Sequence, residues 1–143
     1  MALVQKSVLI ERTAIQMFEL VDRVEDYPRF LPWCGGTELL CRTENVTAAT
    51  IHINYHGIKA HFSTENEKIM PSVMSIHLTE GPFRHLDGGW RFTPLGDTAC
   101  KVEFTLHYEF SSKLLEKALG PVFNHITNTF VESFVKQAGQ VYG

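Results

Sequence analysis

Hydrophobic and polar residues alternate with a period of two along much of the region 37–110. The clearest case is residues 101–110, where every second residue is apolar: Val102, Phe104, Leu106, Tyr108 and Phe110. This alternation is typical of an antiparallel strand with one buried face and one wet face. The turn signals in the region are Gly57, Met70-Pro71, Gly81-Pro82, Asp87-Gly88-Gly89 and Gly96-Asp97. With a first strand over residues 2–11, they predict about seven strands joined mainly as hairpins.

Two segments have the spacing of an α-helix. Near the N-terminus, Thr13 and Gln16 form a capping-box pattern, and apolar residues at helical spacing follow as far as Val21. Near the C-terminus, Ser111 or Ser112 is predicted to cap a long helix whose apolar stripe extends to Val141. Because proline removes a backbone donor, we expect a kink or break at Gly120-Pro121.

A short helix is predicted around residues 27–30, capped by Asp26 and ended by Pro32 and Gly35-Gly36. No repeat or linker divides the chain, so residues 1–143 are predicted to form one α+β domain. A curved antiparallel sheet with one apolar face needs a cover, and the C-terminal helix is the longest apolar candidate. The gap between them is either a filled core or a binding pocket.

Charge and cysteine content narrow the class of protein. The net charge of −3 and the absence of a basic stripe argue against DNA and weaken any RNA partner. The three cysteines, Cys34, Cys41 and Cys100, have no disulfide or zinc spacing. No secretory leader or transmembrane stretch is apparent, so we expect a cytoplasmic protein with free thiols.

Catalytic and metal chemistry have weak support in the sequence. Seven histidines are present, but those in the strands, such as His52 and His61, fall on the polar face without acidic residues at ligand spacing. Cys34 precedes two glycines but has no identifiable base, so a packing role is favoured. We therefore predict no catalytic residues, no metal ligands and no required cofactor.

Two predicted connections contain more aromatic and proline residues than a surface connection needs. They are residues 27–34 (YPRFLPWC) and residues 80–84 (EGPFR). Each is either a structural plug over an open end of the core or an apolar rim around a ligand entrance. The sequence leaves these alternatives open.

These segments, with the run 90–92 (WRF), resemble the START-like family of coenzyme-Q-binding proteins, also named polyketide cyclase/dehydrase. The resemblance spans the chain and implies a helix-grip fold, a curved sheet wrapped on a long C-terminal helix. It implies binding of a hydrophobic molecule, with ubiquinone the ligand in respiratory members. The bacterial branch includes ribosome association toxins of toxin–antitoxin type, which implies the large ribosomal subunit and a small antitoxin protein as partners.

We therefore expect a non-enzymatic carrier or chaperone that supports respiration by holding ubiquinone or another isoprenoid lipid in an internal cavity of about 300 Å³ or more. The alternatives are a toxin that binds the large ribosomal subunit and blocks subunit association and, third, a cyclase-type enzyme. The predicted ligand-binding residues are Ile53, Tyr55, Phe62, Trp90, Phe92, Phe104, Leu106, Tyr108, Phe123, Ile126 and Phe130. The predicted rim residues are Phe30, Pro32, Trp33, Pro82 and Phe83.

Overall fold

The computed structural model describes residues 2–143, and its elements match the predicted α+β class. In chain order they are β1 (Ala2–Ile10), α1 (Ala14–Asp22), a 3-10 turn (Val24–Asp26), α2 (Tyr27–Phe30), β2 (Cys34–Arg42), β3 (Val46–Tyr55), β4 (Ile58–Ile69), β5 (Val73–Glu80), β6 (Phe83–Pro94), β7 (Cys100–Phe110) and α3 (Lys113–Tyr142). The seven strands form one antiparallel sheet in the order β1-β7-β6-β5-β4-β3-β2. The predicted seven-stranded sheet and long C-terminal helix are confirmed.

The core lies between the inner face of the sheet and α3. In β7 every second residue is buried, from Cys100 to Phe110, as the alternation predicts. On α3 the buried residues include Phe123, Ile126 and Phe134, and burying each such side chain contributes roughly 1.5–3 kcal/mol. Val141, predicted on the same stripe, is instead 51% exposed, because it lies in the last turn of α3.

Side chains cap two of the helices as predicted. The backbone N–H of Gln16 donates to Thr13 Oγ1 at 3.1 Å, and Thr13 N–H donates to Gln16 Oε1 at 2.9 Å. Leu115 N–H donates to Ser112 Oγ at 3.1 Å at the start of α3. The capping predicted for Asp26 is wrong, since its side chain makes no capping hydrogen bond at α2.

α3 runs through Pro121 as one helix of 30 residues, so of the kink or break predicted there, the break does not occur. The kink stays a prediction. Proline normally clashes with the Cβ of the residue before it, and Gly120 has no Cβ. Pro121 is also exposed, so water can solvate the carbonyl group that loses its helical donor.

Two glycine-containing segments, one predicted to end a helix and the other to form a turn, lie inside strands. Gly35-Gly36 belongs to β2, where the pairing with β3 is irregular between Cys34 and Gly36. Asp87-Gly88-Gly89 lies in the middle of β6, paired on both sides with β5 and β7. Six strands nevertheless follow β1, as the predicted total of about seven requires, because residues 43–45 form a turn that the turn signals do not include.

The glycines of β6 permit a close approach of neighbouring backbones. A Cβ placed on Gly88 would lie 2.0 Å from the carbonyl oxygen of Thr105 in β7. A Cβ on Gly89 would lie 2.6 Å from the carbonyl oxygen of Met74 in β5. Glycine within a strand commonly marks such contacts or a bend, and here no side chain can be accommodated.

We predict that Gly88→Ala destabilises the protein by about 3 kcal/mol, because the backbone of β7 must move to admit the methyl group. Gly36→Ala is the matched control, since Gly36 also lies in a strand and a Cβ there would meet nothing within 4 Å. Urea unfolding of both variants measures the effect. Equal stabilities would contradict the close approach at Gly88.

Candidate functional site

An internal cavity lies between the inner face of the sheet and α3. Its wall draws on the segment from α1 to β2, on strands β3 to β7, and on α3. The lining residues are Val21, Val24, Tyr27, Trp33, Ile51, Phe62, Thr64, Asn66, Ile76, Leu86, Trp90, Phe104, Leu106, Phe123, Ile126, Thr127 and Phe130. Aliphatic and aromatic side chains dominate this wall, which suits an apolar occupant.

The cavity is smaller than the 300 Å³ expected from the sequence. The space open to the centre of a water molecule is about 70 Å³, within about 630 Å³ of atom-free space that includes solvent at its mouth. About 10–15 Å³ of such space holds one water molecule, so several would fit. Ring contacts narrow the space from the helix side, where Phe130 lies 5.6 Å from Trp90 and 5.5 Å from Phe104.

Seven of the eleven predicted ligand-binding residues line the cavity: Phe62, Trp90, Phe104, Leu106, Phe123, Ile126 and Phe130. The other four pack elsewhere. Phe92 contacts Phe18 of α1, Tyr108 contacts Phe83, and Tyr55 stacks on His125 at 5.3 Å between ring centres. Ile53 is buried in β3 but does not reach the cavity wall. Contact of any of these residues with a ligand stays a prediction.

The predicted rim residues are distributed between surface and interior. Pro32 is exposed, and Phe30 and Pro82 are half-buried. Trp33 and Phe83 are only 2% and 6% exposed. Trp33 lines the cavity, and Phe83 packs against Phe110 and Phe123 at 4.9 Å between ring centres. This geometry favours the plug over the rim at both aromatic segments.

Residues 27–33 are held down by aromatic contacts and one buried hydrogen bond. The ring of Tyr27 lies 5.4 Å from that of Phe134 on α3, and its hydroxyl donates to the carbonyl of Val21. Phe30 lies 5.2 Å from Phe134. Burial raises the pKa of Tyr27 well above its usual value, with the negative charge of Asp22 adding to the effect. The segment therefore forms one wall of the cavity.

A charged cluster fastens the end of α1 to the sheet beside this wall. Lys68 Nζ lies 3.2 Å from Asp22 Oδ2, and the Lys68 side chain is only 5% exposed. Thr47 Oγ1 donates to Asp22 Oδ1 at 2.6 Å. Arg42 donates to both carboxylate oxygens of Glu25, at 2.7 and 2.8 Å, and these bonds hold the pKa of Glu25 below its usual value.

Sequence reasoning missed the polar part of the wall. Thr64 and Asn66 follow Phe62 at intervals of two in β4, so the period that placed Phe62 inward also places them inward. Two of the lining residues each have a buried side-chain atom with no hydrogen-bond partner within residues 2–143: Trp33 Nε1 and Asn66 Oδ1. Buried polar groups are normally paired, so these two atoms are exceptional.

Catalytic groups do not converge on the cavity. Tyr27 is the sole titratable side chain of the wall in the part of the chain that the structure describes, and its hydroxyl is bonded to Val21. Cys34 is buried, its thiol contacts the carbonyl of Gly36 at 3.5 Å, and burial raises its pKa. Within residues 2–143 no three His, Cys, Asp or Glu side chains are arranged to hold a metal ion. None of the helices described there has both the length and the apolar character to cross a membrane.

The sequence of residues 10–135 matches the family model described as polyketide cyclase/dehydrase and lipid transport. The chain belongs to this family. It is 44% identical over 140 residues to the ribosome association toxin RatA of Vibrio cholerae, which covers 98% of this chain and 97% of that protein. It is 30% identical to the coenzyme Q-binding protein COQ10 homolog B of Xenopus laevis, over 90% of this chain and 54% of that protein.

A START superfamily protein from Mycobacterium smegmatis has the same fold, with a TM-score of 0.76 at 18% identity over 97% of this chain and 98% of that one. The START-like fold implied by the resemblance is therefore confirmed. Similarity at this level of identity establishes the architecture and leaves the ligand open.

We predict that Tyr27→Phe makes stability less sensitive to alkaline pH. In the unfolded chain a tyrosine ionises near pH 10, whereas the folded protein keeps the Tyr27 proton to higher pH. Unfolding above pH 10 therefore releases this proton, and stability falls by up to about 1.4 kcal/mol per pH unit.

Urea unfolding between pH 9 and 11.5 measures this slope. Tyr27→Phe should lack part of it, whereas the control Tyr55→Phe, at a half-exposed tyrosine, should keep the wild-type slope. Identical slopes for the two variants would show that Tyr27 ionises as easily in the folded protein as in the unfolded chain.

Proposed function

We propose that this protein binds a hydrophobic small molecule in the cavity and acts as a non-enzymatic carrier or chaperone for it. The observation that carries this proposal is the apolar cavity between the sheet and α3. Each Å² of apolar surface that a ligand buries there contributes about 25 cal/mol, which favours apolar ligands as a class.

We propose ubiquinone or another isoprenoid lipid as this ligand. The family description includes lipid transport, and one relative is named a coenzyme Q-binding protein. The cavity of about 70 Å³ admits only a small part of such a molecule. Binding of a long isoprenoid tail therefore requires side chains of the cavity wall to move. Phe130 and Phe62 are the best candidates, because both line the cavity and both are only half-buried.

We predict that a short-tailed ubiquinone quenches the fluorescence of the protein, since both tryptophans, Trp33 and Trp90, line the cavity. Leu86→Phe should weaken this binding at least tenfold, because the larger ring takes up cavity space. Leu114→Phe is the matched control, since Leu114 is 77% exposed on α3.

Organic extraction of the purified protein, followed by mass spectrometry, identifies any lipid that co-purifies. Saturable quenching that Leu86→Phe reduces and Leu114→Phe leaves unchanged would support the proposal. An absence of saturable quenching, or equal quenching in all three proteins, would contradict binding in the cavity.

The 44% identity to RatA favours a second function, association with the ribosome. We propose that the protein binds the large ribosomal subunit through its outer surface and hinders subunit joining. The net charge of −3 favours recognition of shape or of ribosomal protein over a phosphate-binding stripe. The two functions are compatible, because the cavity faces inward and a ribosome contacts the outside.

We predict that the protein co-sediments with isolated large subunits at moderate salt and reduces the yield of joined ribosomes. Isolated small subunits are the control. Leu86→Phe should co-sediment as the wild type does, because the substitution lies inside the core. A protein that stays in the supernatant with large subunits would contradict this second function.

A further inference from the structure

The two edge strands of the sheet differ in how well they are protected against pairing with a further strand. β2 pairs irregularly with β3 between Cys34 and Gly36 and again between Leu39 and Cys41. It also packs against the 3-10 turn and α2. Bulges and covering segments of this kind keep an edge from pairing with another chain. β2 is therefore a protected edge.

β1, at the opposite edge, lacks such irregularities. It pairs with β7 in unbroken register from Ala2 to Ile10 and contains no proline. On its other side, the backbone of β1 forms no hydrogen bond with any segment of residues 2–143. A regular edge of nine residues presents a row of unpaired donors and acceptors, which is the template that an added strand uses.

The side chains of β1 offer contacts to an added strand on both faces of the sheet. On the outer face, Leu3 and Leu9 are 53% and 70% exposed. On the inner face, Lys6 is exposed and lies with Asn124 and Asn128 of α3 along a polar groove beside the strand. An added strand would cover the two leucines with its outer side chains and place its inner side chains in the groove.

The charge of Lys6 determines which kind of strand fits this edge. Lys6 forms no ion pair with the residues that the structure describes. If β1 of a second copy paired with it about a two-fold axis, every register that joins most of the strand would place the two lysines directly opposite or diagonal to each other. Like charges at such positions are unfavourable, whereas an acidic residue opposite Lys6 would form an ion pair.

We propose that β1 binds an extended segment of a partner protein, which adds an eighth strand to the sheet. The segment carries an acidic residue opposite Lys6 and apolar residues three positions before and after it, opposite Leu3 and Leu9. This spacing is that of β1 itself and is the same for either direction of the added strand. The edge lies outside the cavity, so the proposal does not depend on ligand binding.

Two peptides of nine residues with capped ends test the proposal: TLTTETTLT and TLTTKTTLT. Each reads the same in both directions and has leucines three positions from its centre. In NMR titrations of ¹⁵N-labelled protein, the glutamate peptide should move the amide signals of β1 and leave those of β2 unchanged. The lysine peptide should bind about tenfold more weakly, because an attractive cross-strand charge pair becomes repulsive.

Charge reversal separates pairing at Lys6 from general electrostatic attraction. Lys6→Glu should exchange the preference, so that the lysine peptide binds about tenfold more tightly than the glutamate peptide. Lys59→Glu makes the same change at another exposed lysine, in β4, and should keep the wild-type preference. Leu9→Ser should weaken the binding of both peptides, because it removes an apolar contact of the added strand.

Three results would overturn the proposal. If neither peptide moves the signals of β1, the edge is closed to an added strand. If both peptides bind the wild-type protein equally, Lys6 does not select an acidic partner. If the signals of β1 move with protein concentration alone, the strand pairs with a second copy of this chain, and a partner protein is the wrong occupant.

Discussion

The arrangement of the sheet around α3 depends on how closely three strand backbones approach one another at Gly88 and Gly89. The carbonyl oxygens of Thr105 and Met74 occupy the places where side chains would otherwise stand. Gly88 and Gly89 lie in the registers of β6 with both β5 and β7, so a side chain at either position would push β6 away from a neighbouring strand. The pairing in turn directs Trp90, Phe104 and Leu106 toward the helix.

The cavity follows from a mismatch between this sheet and the helix that covers it. Rings from α3, above all Phe130 and Phe123, fill much of the space but leave about 70 Å³. The side next to α1 is closed by Tyr27 and Trp33, which belong to the aromatic segment of residues 27–34. The ion pair of Lys68 with Asp22 holds the end of α1 beside them. A buried ion pair contributes little net stability by itself, so its value here is in fixing position.

Local rules predicted most of the fold and part of the site. The alternation in β7 and the capping box at Thr13 depend on residues near in sequence, and the structure confirms both. The turn predicted at Gly88 and Gly89 is wrong because glycine is common both in turns and where strand backbones approach closely. Only the positions of the neighbouring strands distinguish these two cases. Asn66 could not be predicted as a site residue from the sequence. An inward-facing polar residue in a strand is unusual only if its side chain has no hydrogen-bond partner, and that is known only from the structure. The position of Trp33 depends on contacts with α3, which lies about a hundred residues away along the chain.

The period of two in the strands also has an evolutionary consequence. In β7 the buried residues touch the core, whereas the residues between them, such as Thr105 and His107, belong to the outer face. Mutations at alternate positions therefore fall under separate selection. Those at buried positions are selected for packing and ligand binding, and those at outer positions for contacts with macromolecular partners. A lineage can thus exchange macromolecular partners without rebuilding its interior. Such independence fits a family whose members bear names as different as ribosome association toxin and coenzyme Q-binding protein.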